Sequence, residues 1–103
     1  MLVNQSQSPC LAVWHLNTLA SLHWRCWNDE WVVFDVGSGQ THQMDTLTAV
    51  TLMMLESTAS TLPELLSRIA DELLIPSDNQ LSDAVGRILE QLAATGLIES
   101  TLQ

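Results

Sequence analysis

The chain has 103 residues, 47% of them apolar, and its 12 acidic residues against three basic ones give a formal net charge of −9. This length predicts a single domain, and the charge argues against nucleic-acid binding, which draws most of its affinity from Lys and Arg. No apolar run approaches the roughly 20 residues of a membrane-spanning helix, and the N-terminus lacks the basic start of a secretory signal. We therefore expect a cytoplasmic monomer or weak homodimer without membrane or nucleic-acid partners.

The N-terminal third of the chain contains one candidate strand. Residues 1–10 are rich in Gln, Ser and Asn and predict a flexible tail, which leaves residues 11–103 as the folded domain. Residues 11–16, LAVWHL, are compatible with a short strand. Residues 17–30 are mixed in character and end in Asn28-Asp29-Glu30, a turn signal.

The tryptophans all lie in this same third of the chain. They either form a core layer beneath a small sheet or stack a sugar or a base, and the lack of basic residues nearby favours the core. The four positions are Trp14, Trp24, Trp27 and Trp31.

Four residues of metal-ligand type also lie in this third. Structural zinc sites use two matched pairs of closely spaced ligands. Only one pair here, His23 and Cys26, has such a spacing, so we favour free thiols and imidazoles over a metal site and predict no cofactor. The residues concerned are Cys10, His15, His23 and Cys26.

Residues 31–44 predict a β-hairpin. Residues 31–36, WVVFDV, alternate between two faces as a strand does, with Val33 and Asp35 on the face opposite Phe34. Gly37-Ser38-Gly39 supplies a turn, and residues 40–44 supply the second arm.

Two functional interpretations of the glycine segment, a phosphate loop and a catalytic pair, fit the sequence less well than its interpretation as a turn. A phosphate loop leads into a helix N-terminus, whereas these glycines lead into a polar, strand-like segment. Ser38 and His42 could form part of a nucleophilic pair, but no acidic residue is spaced to orient the imidazole. We predict no catalytic residue.

Three helices follow the hairpin. Asp45 caps a helix over about residues 46–56 that is apolar nearly all round and therefore buried. The capping box of Thr61 and Glu64 starts an amphipathic second helix that stops at Pro76, and a third begins near residues 77–80. Gly96 provides a C-cap, after which Leu97 and Ile98 fold back onto the core.

Strands followed by three helices predict an α+β fold, in which a three-stranded antiparallel sheet precedes a winged-helix-like arrangement. A DNA-reading function would suit that arrangement, but the predicted third helix carries three acidic residues against Arg87 alone. Its negative charge would repel phosphates.

Over about residues 11–99 the chain resembles the PqqD-like peptide chaperones, the recognition elements for leader peptides of ribosomally made, modified peptides (RiPP recognition elements). The resemblance is carried by the Ser-Gly turn, by Met44-Asp45-Thr46-Leu47, by Leu65-Leu66-x2-Ile69-Ala70 and by Leu89-x2-Leu92-x3-Gly96-Leu97-Ile98. The segment from Ser38 to His42 and the tryptophans are most similar to the subgroup associated with a kinase that resembles HPr kinase. Asp45 stands where the family shows Asn, and the chain has no Lys.

The resemblance implies that a leader peptide adds as an extra strand to the sheet, in the groove between the third strand and the third helix, and is presented to a modifying enzyme. An edge strand offers unpaired amides and carbonyls for such an addition. On the third helix, small residues beside the core stripe would let another backbone approach. The predicted peptide-binding residues are Gln40, Thr41, His42, Gln43, Met44, Ser82, Gly86, Leu89 and Ala93.

Three alternatives stay open from the sequence. Gly86 either admits the peptide or packs against the domain's own sheet. His42 either contacts the partner or is a half-buried, hydrogen-bonded histidine. The whole chain is alternatively an adaptor that docks a modifying or HPr-kinase-related enzyme through the tryptophans.

Overall fold

The computed structural model of the protein describes residues 12–102, so the predicted tail at residues 1–10 lies outside the described residues. In chain order the elements are β1 (Ala12–Leu16), β2 (Leu22–Trp27), β3 (Glu30–Asp35), β4 (Gln40–Met44), α1 (Thr46–Ser57), β5 (Ser60–Thr61), α2 (Leu62–Leu73), α3 (Asn79–Ala94) and β6 (Ile98–Leu102).

The central feature of the fold is a three-stranded antiparallel sheet in the order β2–β3–β4. Its register places Val33 of β3 between Trp24 of β2 and His42 of β4. Val33 is fully buried and Phe34 is 42% exposed, which confirms the predicted alternation of faces. One face of the sheet therefore lies on the helices and the other faces solvent.

The sequence prediction missed β2. Its hairpin with β3 turns at Asn28 and Asp29, which have φ values of 55° and 63°. Two consecutive left-handed residues are the mark of a two-residue turn that matches the twist of the strands, and Asn and Asp tolerate this conformation. The sequence indicates the turn, but the mixed composition of the preceding segment, LHWRCW, does not indicate a strand.

A second sheet joins distant parts of the chain in the order β5–β1–β6. The predicted strand at residues 11–16 exists as β1, but it pairs with β6 along its whole length and with β5. Leu97 and Ile98 are 2% and 1% exposed, which confirms that this segment folds back onto the core. That Ile98 begins a strand was not predicted.

The three predicted helices are present, with caps that explain their starts. Asp45 accepts a hydrogen bond from the backbone N–H of Thr48, and Thr61 and Glu64 form the expected capping box. The N-cap of α3 is Asp78, one residue after the predicted start of the capping pattern. Gly96 has a φ of 86°, in keeping with the predicted left-handed C-cap.

The core lies between the three helices and the inner faces of both sheets. The order of the elements confirms the predicted α+β class, in which a three-stranded antiparallel sheet is followed by three helices. Within residues 12–102, no helix has the length and apolar character needed to cross a membrane. The buried core residues are Val33, Leu52, Leu55, Leu65, Ile69, Leu81, Val85, Ile88, Leu89, Leu92, Leu97 and Ile98.

Candidate functional site

Among residues 12–102, strand β4 is an edge of its sheet, and the backbone groups that no described strand pairs can be assigned. The N–H of Val36 donates to the carbonyl of Ser21 at 2.9 Å, so Val36 bonds toward the β2 side of the sheet. Because pairing alternates along an antiparallel strand, Val33 bonds toward β4 instead. Its partner there is His42, so the backbone groups of Thr41 and Gln43 point to the free edge.

The side chains of β4 alternate between the two faces of the sheet. Gln40, His42 and Met44 share the inner face with buried Val33, and Met44 packs against the core. Thr41 and Gln43 lie on the outer face. The inner face of this edge is therefore partly apolar, while its backbone edge is available for pairing.

His42 carries a polar atom that lacks a partner. The residue is half-buried, but its Nε2 atom is shielded from solvent and has no hydrogen-bond partner among the described residues. This differs from the hydrogen-bonded histidine that the sequence left open. A buried nitrogen without a partner costs about 1–3 kcal/mol.

The turn before β4 is held by one buried carboxylate. Asp35 Oδ1 accepts the N–H groups of Ser21 and Gly37, both at 3.0 Å, and Oδ2 accepts the hydroxyl of Ser38 at 2.9 Å. These bonds, first of all the one from Ser21, hold the pKa of Asp35 below its ordinary value of 3.8. The hydroxyl of Ser38 is thus directed to Asp35, and the structure does not bring it together with His42 as a nucleophilic pair.

The start of β4 lies beside the end of α3. Gln40 lines a depression together with Thr95 and Gly96. Asn17, in the loop after β1, donates to the Gly96 carbonyl at 3.0 Å, and its backbone N–H donates to the Leu97 carbonyl at 2.9 Å. Sequence reasoning missed Asn17 and Thr95, since no local pattern indicates that these two loops meet.

The predicted residues of α3 occupy two environments. Ser82 and Gly86 line a depression bordered by Leu62 of α2, and no described residue of β4 lines it. Leu89 is only 2% exposed, so it supports α3 from within the core. Ala93 is half-buried and packs against that core near the end of the helix.

Gly86 is not in tight contact with the domain's own sheet. A Cβ atom added at this position would meet nothing within 4 Å among the described atoms. The glycine therefore leaves open surface on α3, as a groove for another chain would require.

Most of the tryptophans belong to the core layer. Trp14 and Trp24 pack against the core, and Trp31 meets Trp24 edge to face at a centroid distance of 6.0 Å. The indole N–H of Trp24 donates to Glu56 at 3.1 Å. Trp27 differs, since it is 56% exposed at the end of β2.

The candidate metal ligands are separated by the fold. His15 lies on β1, in one sheet, while His23 and Cys26 lie on β2, in the other. Because successive residues alternate, His23 and Cys26 point to opposite faces of β2. Within residues 12–102 no group of three or more ligand residues comes together, and Cys10 lies outside the described residues.

The comparisons with known proteins give a likeness of fold. No protein-family model matches the sequence, and no curated protein matches it. Among solved structures, the chain is similar to TbiB1 in complex with the TbiA(beta) leader peptide, with a TM-score of 0.62 and 18% sequence identity. The match covers 82% of this chain and 94% of that chain, so nearly the whole of that solved chain shares its fold with this one.

Proposed function

We propose that this protein is a non-enzymatic peptide-binding module of the PqqD-like family. It captures a precursor (leader) peptide as an added strand on the free edge of β4 and presents it to a modifying enzyme. The observation that carries the proposal is the backbone of Thr41 and Gln43, which no described strand pairs, in a fold similar to that of TbiB1, a protein solved with a leader peptide.

The chemistry of β4 suits strand addition better than that of β2, the other edge of the sheet. The inner side of β2 is filled by the domain's own Trp24, which is bonded to Glu56 of α1. The inner side of β4 carries His42, whose Nε2 atom has no described partner, and β4 starts beside Gly96 at the end of α3. Main-chain hydrogen bonds to β4 would provide affinity, and these side chains would provide selectivity.

The predicted contacts on α3 extend the site beyond the strand. Ser82, Gly86 and Ala93 leave small side chains on the helix, so they are proposed to contact the part of the peptide that continues past β4. The chain's charge of −9 favours a peptide that carries Lys or Arg. Its affinity should then fall as salt is added, because exposed charges are screened.

A pair of proline variants tests the edge. Thr41→Pro removes a free-edge N–H of β4 without removing a bond to β3, whereas Cys26→Pro does the same on β2. Peptides selected from a displayed random library on the wild-type protein serve as the probe. We expect Thr41→Pro to weaken their binding about tenfold or more, since one backbone bond is lost and the ring obstructs pairing.

Cys26→Pro should bind these peptides as the wild-type protein does, and Thr41→Ala, which keeps the N–H, should bind nearly as well. Amide exchange should slow at Thr41 and Gln43 when a selected peptide is added. Equal weakening by both prolines, or protection along β2 alone, contradicts the proposal.

A second candidate function, docking of the modifying enzyme or an HPr-kinase-related protein, is supported by the outer face of the sheet. Phe34 and Val36 are 42% and 53% exposed there, and Trp27 lies at one end of the same face. Exposed apolar side chains of this size are common anchors in protein interfaces. Phe34→Ser and Trp27→Ser should then weaken binding of a modifying or HPr-kinase-related enzyme and leave peptide binding unchanged.

A further inference from the structure

We infer that His42 fixes the register of the bound peptide by hydrogen-bonding an uncharged polar side chain, that of a Ser, Thr, Asn or Gln residue. This inference rests on the proposed function. Strand addition alone leaves the register undetermined, since the backbone groups of Thr41 and Gln43 pair equally well with a peptide shifted by two residues. A specific side-chain contact on the inner face is needed to select one register.

His42 is the residue of β4 that is placed to make this contact. Gln40 is exposed at the end of the strand, and Met44 packs against the core. Between them, the Nε2 atom of His42 is shielded from water without a described hydrogen-bond partner. An apolar peptide side chain would leave this nitrogen unpaired, whereas a hydroxyl or amide would satisfy it.

The pairing pattern brings the peptide residue close to His42. Thr41 and Gln43 form the backbone bonds to an antiparallel peptide, so the peptide residue opposite His42 occupies a non-hydrogen-bonded position. At such positions the Cα atoms are only about 4.5 Å apart and the two side chains share a face. This peptide side chain therefore lies directly beside the imidazole.

The surroundings of His42 restrict the type of side chain. Val33, directly opposite on β3, is fully buried, and Met44, on the same face, belongs to the edge of the core. A charged peptide group would be partly desolvated there, at a considerable cost. Hydroxyl and amide groups both donate and accept, so they suit either tautomer of a neutral imidazole.

The imidazole can present Nε2 to the peptide without a change in the strand. The residue as a whole is half-buried, so part of the ring reaches the surface. The terminal torsion of a histidine side chain is broad. The contact with the peptide requires a rotation about this bond that turns Nε2 from its shielded position toward the free edge.

Selection from a random peptide library on three proteins tests the inference: wild type, His42→Leu and His42→Gln. Thr101→Ala, a change at an exposed residue of β6, is the control. We expect the wild type and the control to enrich Ser, Thr, Asn or Gln at one position, His42→Leu to lose that preference, and His42→Gln to retain it through its amide. Replacing the enriched residue by Val should weaken binding about tenfold to wild type and less than about twofold to His42→Leu.

The outcomes separate this inference from the function on which it rests. The role of His42 is overturned if wild type and His42→Leu select peptides with the same preference. It is also overturned if the Val peptide loses equal affinity for both proteins. Either result leaves strand addition intact. If none of the four proteins yields binders, while far-ultraviolet circular dichroism shows them folded, peptide binding itself is overturned. Should His42→Leu fail to fold, two measurements remain. The inference then requires that His42→Gln retains the preference and that the Val peptide binds wild type more weakly.

Discussion

The two sheets of this protein differ in where their strands come from. β5–β1–β6 joins residues from both ends of the described chain, with Ala12 opposite Leu102, and its β6 strand begins with the buried Ile98. β2–β3–β4 is a local meander built within residues 22–44. The first sheet ties the chain together around the helices, while the second presents an edge, β4, that no described strand covers. Closure of the fold and display of the proposed binding edge thus fall to separate sheets.

The largest expected effect is on the sheet that ties the chain together. Ile98→Ala removes a side chain that is 1% exposed and leaves a cavity in the core, so we expect a loss of about 3 kcal/mol in the free energy of unfolding. Thr101 on the same strand is exposed, so Thr101→Ala should change the free energy of unfolding little. Urea unfolding measures both, and amide exchange in Ile98→Ala should quicken throughout the helices. Faster exchange confined to β6 would show that this sheet does not tie the fold together.

A smaller and more local effect is expected in the meander. At Gly37 an added Cβ atom would lie 2.1 Å from the backbone carbonyl oxygen of Leu19, so the loop after β1 and the turn before β4 have to separate. Gly37→Ala should cost about 2 kcal/mol, with exchange accelerated in β2–β4 and not in β1 or β6. Gly39→Ala, which has open space but a φ of 78°, provides the comparison for backbone strain alone.

The carboxylate in the same turn should make the stability of the meander depend on pH. The pKa of Asp35 is lowered in the folded protein by the N–H of Ser21 and its other donors. The contribution of Asp35 to the free energy of unfolding is therefore complete above pH 3.8, the ordinary pKa of the group, and is lost as the pH falls through the pKa of the folded protein. As the pH falls from about 5 through the folded pKa, the wild-type protein should lose more of its free energy of unfolding than Asp35→Asn does. Parallel melting temperatures of the two proteins over this range would contradict this role.

The smallest effect is expected on α3, outside both sheets. Gly86 lies inside the helix with open space around it, so Gly86→Ala should raise the free energy of unfolding by about 0.5–1 kcal/mol. If a peptide backbone approaches this position, the same change should weaken binding of the selected peptides. A more stable variant with unchanged affinity would remove Gly86 from the proposed site.

Much of the local structure could be predicted from the sequence because its causes are local. Asp45 and the box of Thr61 and Glu64 start their helices through bonds that span three residues, and Gly96 ends α3 through its own backbone. Strand β2 was missed because its inner and outer faces both carry aromatic or polar residues. The Asn28-Asp29 turn, flanked by two runs of equal length, was the available signal for it.

What the sequence determined by itself was the helices, the β3–β4 hairpin, the acidic surface and the polar character of the edge strand, because each follows from neighbouring residues. Only the tertiary structure decided that residues 12–16 pair with residues 98–102, that Asn17 reaches the end of α3, and that the Nε2 atom of His42 is shielded without a described partner. These features depend on contacts between residues far apart in the chain. Such contacts form when long loops close around a shared core, and the spacing of neighbouring residues does not predict them.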